Sequence, residues 1–136
     1  MRTELGGQGG GVGIFVRNGI DFNRVTNLGS STSFESLFIN LPHKKSKDMM
    51  VGVIYRPSGL NLNTFNSEFG VLIDSISSKI HTNKRLFLLG DYNIDLFAHD
   101  FHTPTQDFIE NMTSHHLIPL IHHPSRITTY LNQYIN

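Results

Sequence analysis

Hydrophobic positions follow two rhythms along this chain, and the change between them divides it near Pro57. Before that point the apolar residues alternate. Val12, Ile14 and Val16 step past Gly13 and Phe15, a pattern that predicts a strand buried largely on both faces. Asn18-Gly19 is a two-residue hairpin signal, with Ile20 to Val25 (IDFNRV) as the returning strand. Leu28 to Ser33 reads as a loop. Phe34 to Leu41 (FESLFINL) alternates again, and Pro42 to Asp48, with three lysines and a histidine, is a solvated turn. Met49 to Tyr55 (MMVGVIY) is the next strand; it ends at Arg56-Pro57, because proline has no N–H to give a ladder. These segments predict an antiparallel meander of four strands.

Beyond Pro57 the period lengthens. Leu62, Phe65, Phe69, Leu72, Ile73, Ile76 and Ile80 recur at three and four, which predicts an amphipathic helix over Asn63 to His81. Gly70 inside it costs roughly 1 kcal/mol relative to alanine, too little to cancel that stripe. Leu86 to Leu89 is a fully apolar, buried strand running into a loop at Gly90-Asp91. A second helix is expected from Thr103, with threonine as N-cap, proline at the first helical position and a capping-box glutamine at Gln106. Phe108, Ile109 and Met112 form its buried side. Leu117 to Ile121 (LIPLI) is a short strand or extended segment, and the stretch after it is a loop. No repeat or linker divides the chain, so residues 1–136 read as a single domain. Its opening, residues 1–10 with the glycine run from Gly6, is expected to be flexible, since glycine loses the most backbone entropy on ordering.

Composition narrows the class. At 136 residues and 15.4 kDa, with 38% hydrophobic and 16% charged residues, the chain can bury a core and is not a disordered tail. Eleven basic against eleven acidic side chains give no net charge, which argues against a globally basic nucleic-acid binder and leaves a local basic face open. The absence of cysteine excludes a disulfide framework and thiolate zinc sites. The longest wholly apolar run, Leu86 to Leu89, falls far short of the ~20 residues of a membrane span, and the polar start carries no signal-peptide core. An intracellular globular domain is the expectation.

Three short segments carry candidate chemistry. Gly90-Asp91-Tyr92-Asn93 delivers a carboxylate and an amide to the loop after a buried strand, where open sheets commonly place ligands. Magnesium-dependent phosphoester chemistry uses such groups, a carboxylate for the ion or attacking water and an amide to orient water or a phosphate oxygen. Taken alone, the tetrapeptide reads equally well as an Asx-turn closing a strand. Tyr55-Arg56-Pro57-Ser58 ends another strand with a phenol and a guanidinium, donors suited to phosphate, or else with a strand-end tyrosine and a solvated arginine. Pro124-Ser125-Arg126-Ile127-Thr128 adds a further hydroxyl and guanidinium cluster.

Other features read more plainly. The pairs His115-His116 and His122-His123 could suggest zinc, but histidine-only structural sites are uncommon and helix C-termini favour histidine through the dipole. No zinc is expected. The glycine-rich start lacks the G-x-G-x-x-G register of a phosphate cradle and leads into a strand. Asn111-Met112-Thr113 matches a glycosylation sequon by chance, inside a predicted helix.

In order, GGGVGIFVRNGIDF, ESLFINL, VGVIYRPS, a helix, LFLLGDYNIDL, a TPTQDFIENM helix and HLIPLIHHPSRIT resemble the endonuclease domain of non-LTR retrotransposons. That domain belongs to the endonuclease/exonuclease/phosphatase superfamily, whose fold is similar to that of DNase I. The resemblance spans Gly9 to Thr128. It implies an α+β fold, a partial DNase I-like four-layer α/β-sandwich with a mostly antiparallel sheet and two main helices packed on one face. The sheet is expected to gain Leu86 to Leu89, with Leu117 to Ile121 as a further candidate, and the other face is expected to be unusually apolar.

By resemblance, Asp91 would activate the attacking water and hold magnesium (or manganese), Asn93 would orient that water or a phosphate oxygen, and Tyr55 would hydrogen-bond the scissile phosphate. Arg56, Ser125, Arg126 and Thr128 are weaker candidates for DNA contacts, and Glu35 is expected to be strand-exposed rather than catalytic. The implied activity is nicking of DNA, with a reverse transcriptase in the same polyprotein as partner, no membrane, and the nucleus as location. The family's magnesium-binding glutamate would precede Gly6 and its terminal Ser-Asp-His motif would follow Thr128; the chain has neither. An internal fragment, inactive alone, is therefore expected. The alternatives are a cellular phosphoesterase of the same superfamily, and a non-catalytic remnant with at most weak binding of nucleic acid or protein.

Overall fold

In the computed structural model the described residues are 2–3, 11–26, 28, 31–79 and 84–121. Their elements run β1 (Arg2–Thr3), β2 (Val12–Gly13), β3 (Asn23–Val25), β4 (Glu35–Leu41), β5 (Asp48–Tyr55), α1 (Leu62–Lys79), β6 (Lys84–Asp91), a 3-10 turn (Leu96–Asp100) and α2 (Thr103–Ser114). The fold is α+β. A four-stranded sheet has the order β3-β4-β5-β6, antiparallel except for the last pair, and β1 and β2 form a separate two-stranded sheet. Among the described residues no helix is long and apolar enough to cross a membrane.

Alternation fixes which residues face the helices. Phe34, Phe38, Met50 and Ile54 meet Phe65, Phe69, Leu72, Ile73 and Ile76 of α1 and Phe108 of α2 in one buried cluster, with Leu86 and Leu88 packed against it. Both helices thus cover one face. Phe38 lies opposite Gly52, and a Cβ there would stand 2.2 Å from the Phe38 ring, so the missing side chain is the space the ring fills. Asn61 starts α1 by accepting the Thr64 N–H on its Oδ1 (3.1 Å). In α2 the expected start shifts by one: His102 is the N-cap, Thr103 the first helical residue. Asn66 ties the helices by donating from Nδ2 to the Pro104 carbonyl (2.8 Å).

The second face is only partly covered. β4 and β5 are interior strands, so their contacts with β1 and β2 run through a face, and the helices hold the other one. Val12, Leu37 and Ile39 are buried there, Val51 and Val53 are half-buried, while Phe87 (37%) and Leu89 (54%) lie exposed.

Several expectations change. The Asn18-Gly19 turn forms, with the Ile20 N–H donating to Arg17 O (3.2 Å), but no hairpin follows it. β2 pairs with β1 and β3 pairs with β4, because the dipeptide dictates only a local reversal and leaves the choice of strand partner to tertiary contacts. Phe15, expected inside, is fully exposed. Arg2–Thr3, expected flexible, is a strand; residues 4–10 lie outside the described residues. β6 is an edge strand with one apolar side in the open rather than a buried strand. Leu117 to Ile121 joins no sheet, and Ile118, Leu120 and Ile121 are exposed. His122 and His123 lie outside the described residues.

One carboxylate staples the loop before β4 to α1. Glu68 accepts from the hydroxyls of Ser31 (2.6 Å), Thr32 (2.7 Å) and Ser33 (2.6 Å) and from the N–H groups of Thr32 and Ser33. Partial burial pushes its carboxyl up, but the hydrogen bonds from Ser31, Ser33 and Thr32 outweigh that and hold it down at about 2, against an ordinary 4.5. A carboxyl depressed on folding contributes stability that is complete above its unfolded value and fades as pH falls through the folded one. Glu68→Gln is expected to lower stability at pH 7 by ~1–2 kcal/mol. It should also flatten the loss of stability between pH 4.5 and 2, read from urea midpoints at each pH.

Candidate active site at the ends of β5 and β6

A parallel pair ends at one edge, and here the register sets Tyr55 opposite Asp91. β4 runs the other way, so its first residue, Glu35, lies opposite Tyr55. Glu35, Tyr55 and Asp91 therefore form one row across three neighbouring strands spaced ~4.8 Å apart. The row shares the face away from the helices, in step with Leu37, Val53 and Leu89. Asp91 is exposed, Tyr55 half-buried, and Glu35, expected to be exposed, is buried. The parallel crossover through α1 is what joins residues so distant in sequence.

The loop after β6 is built by backbone rather than side-chain bulk. Gly90 has φ +141°, a conformation that side chains rarely adopt, and a Cβ would stand 1.8 Å from the Ile54 carbonyl oxygen. Asp91 Oδ1 accepts the Asn93 N–H at 3.0 Å, the Asx-turn that the sequence left open beside the catalytic reading. Asn93 takes φ +49° and donates from Nδ2 to the Arg56 carbonyl (2.7 Å). The Arg56 N–H in turn donates to the Asp91 carbonyl (3.0 Å), so the two strand ends are cross-tied.

Arg56 holds this arrangement from within. It is 6% exposed. Its Nε donates to Tyr92 O and Nη1 to Leu60 O, each at 2.7 Å, while Nη2 donates to Asn93 O. Its guanidinium also lies 5.8 Å from the Phe65 ring centre. Burial lowers its pKa and the Asp91 charge partly restores it. Sequence reasoning made Arg56 a candidate DNA contact or a solvated cation, and it is neither solvated nor turned outward; it clamps the loop carbonyls.

Tyr92 is the residue that sequence reasoning passed over. Its ring packs against Phe65, Phe69 and Phe108 at 5.6–6.4 Å between centroids, and burial pushes its hydroxyl up to about 12. The signal was present in the strand period: β6 ends with Asp91 facing away from the helices, so the next residue in the alternation, Tyr92, falls on the helix side. Ser125, Arg126 and Thr128 lie outside the described residues.

Chemically, the edge offers an exposed carboxylate with one oxygen engaged in the turn, a half-buried phenol beside it, and an amide with a second N–H to give. Among the described residues no group of three or more acidic or histidine side chains is gathered to hold a metal ion. Asp91 fits the part of one carboxylate ligand; magnesium usually takes one or two, with water and substrate phosphate completing its shell. No family model, curated protein or solved structure matches the chain.

Proposed function

We propose that this chain is part of a magnesium-dependent, DNA-nicking endonuclease of the non-LTR retrotransposon type, and that it does not cut by itself. The observation that carries the reading is the pairing of Tyr55 with Asp91 at one sheet edge, with Asn93 tied between the strand ends. It adds a spatial relation to motifs whose order along the chain resembles that family.

In this reading the reaction is hydrolysis of a phosphodiester. Water adds to phosphorus, the bond to one ester oxygen breaks, and that oxygen leaves and takes up a proton from solvent. Asp91 orients the water and takes its proton. Tyr55 donates its hydroxyl to a non-bridging phosphate oxygen, and Asn93, with one Nδ2 hydrogen given to the Arg56 carbonyl, donates the second to water or phosphate. Arg56 acts through the loop, holding Tyr92 and Asn93 in place, and does not touch the phosphate. When bound, magnesium neutralises phosphate charge and acidifies water, and Asp91 is the carboxylate here that would hold it. The substrate is DNA, the site of action the nucleus, and the partner a reverse transcriptase. A non-catalytic remnant is favoured by one observation, that the Asp91 and Asn93 contacts already suffice as a strand-closing turn. Nicking of supercoiled plasmid by the chain extended with the family's glutamate strand and Ser-Asp-His segment separates the two.

A further inference from the structure

We infer that the outer edge of β6 is a self-complementary surface through which two copies of this chain pair, antiparallel, about a two-fold axis at Leu88. β6 ends the strand order, so among the described residues its outer side has no ladder partner. It is eight residues long and carries no proline, the kind of edge that invites another strand. Its side chains say which strand. Arg85, Phe87, Leu89 and Asp91 alternate onto one face, and all four are exposed. The basic residues, Lys84 and Arg85, stand at one end and Asp91 at the other. A parallel second copy sets like charges side by side, whereas an antiparallel one sets opposite charges together.

With Leu88 on the axis, Arg85 lies opposite Asp91 of the second copy and Phe87 opposite Leu89 of the second copy, and the symmetry repeats both pairs. Sliding the register by two residues in either direction loses the ion pairs and sets Arg85 against Leu89, or Phe87 against Asp91. One register alone satisfies charge and apolar area together. The pairing covers the two apolar side chains that the fold leaves most open on this strand, Phe87 and Leu89. The inference uses only the edge and its sequence, but the pairing engages Asp91, so a second copy and a substrate phosphate compete for that carboxylate.

Within one copy Arg85 and Asp91 stand ~20 Å apart along the strand, so they do not sense each other. That makes a charge exchange decisive. Sedimentation equilibrium of the 136-residue chain over a range of concentrations is expected to show dimers. Arg85→Asp and Asp91→Arg are each expected to weaken dimerisation at least tenfold, because each creates two like-charge pairs. The double variant is expected to recover it to within a few-fold. Circular dichroism spectra matching the parent chain show that the single variants fold. A chain that stays monomeric at every concentration overturns the inference, as do dimers indifferent to the single exchanges or a double variant weaker than both.

Discussion

Supercoiled plasmid incubated with the 136-residue chain and magnesium or manganese is expected to stay closed. The edge at Tyr55 and Asp91 presents one exposed carboxylate in that row, and the other, Glu35, is buried two strands away. The histidine that the family resemblance requires for work on the phosphate is not supplied by these residues. Removing members of a catalytic unit costs several powers of ten in rate, because the remaining groups do not act independently. Extension with the family's glutamate strand and Ser-Asp-His segment is expected to bring nicking above background. Robust nicking by the 136-residue chain alone would show that Tyr55, Asp91 and Asn93 suffice and that the missing groups are dispensable.

Gly90→Ala is expected to be the most destabilising single change at this edge, with a loss of about 3 kcal/mol or more. Two costs coincide there. The backbone sits at φ +141°, where an alanine is strained, and its Cβ would stand 1.8 Å from the oxygen and 2.7 Å from the carbon of the Ile54 carbonyl. Neither atom belongs to a side chain that can swing away. β5 and β6 must part at the Ile54–Gly90 pair, one step from Tyr55 and Asp91, so site geometry goes with stability. Gly19→Ala provides the control. It has φ +87° with open space around it, so only the backbone strain applies, about 1 kcal/mol. Urea unfolding of both variants measures the difference; equal losses would mean that the strand contact at Gly90 gives way freely.

What the sequence made legible was local. The stripe from Leu62 to Ile76 places α1 within a residue of its observed start, and Phe34 to Leu41 and Met49 to Tyr55 place β4 and β5. Strand pairing was less legible, because partners are chosen by tertiary contacts. Asn18-Gly19 specifies a turn, yet the segments flanking it enter different sheets. Apolar content misled at β6: Leu86 to Leu89 reads as buried on both faces, and only Leu86 and Leu88 meet the core while Phe87 and Leu89 face out. At the site, Tyr55, Asp91 and Asn93 were readable as strand-end polar groups, and their register was not, since a parallel pairing leaves no mark in either strand. Arg56 looked like a surface cation because its partners are three backbone carbonyls, groups that no sequence pattern advertises.

The central claim is that Asp91, at the end of β6, does chemistry as well as closing a turn. The most direct test is Asp91→Ala in the extended chain, assayed for nicking of supercoiled plasmid with magnesium. Loss of nicking by several powers of ten is expected, with the circular dichroism spectrum and urea midpoint close to the parent's, because an exposed turn carboxylate contributes little to the fold. Nicking that continues at the parent rate in a folded Asp91→Ala chain would contradict the account.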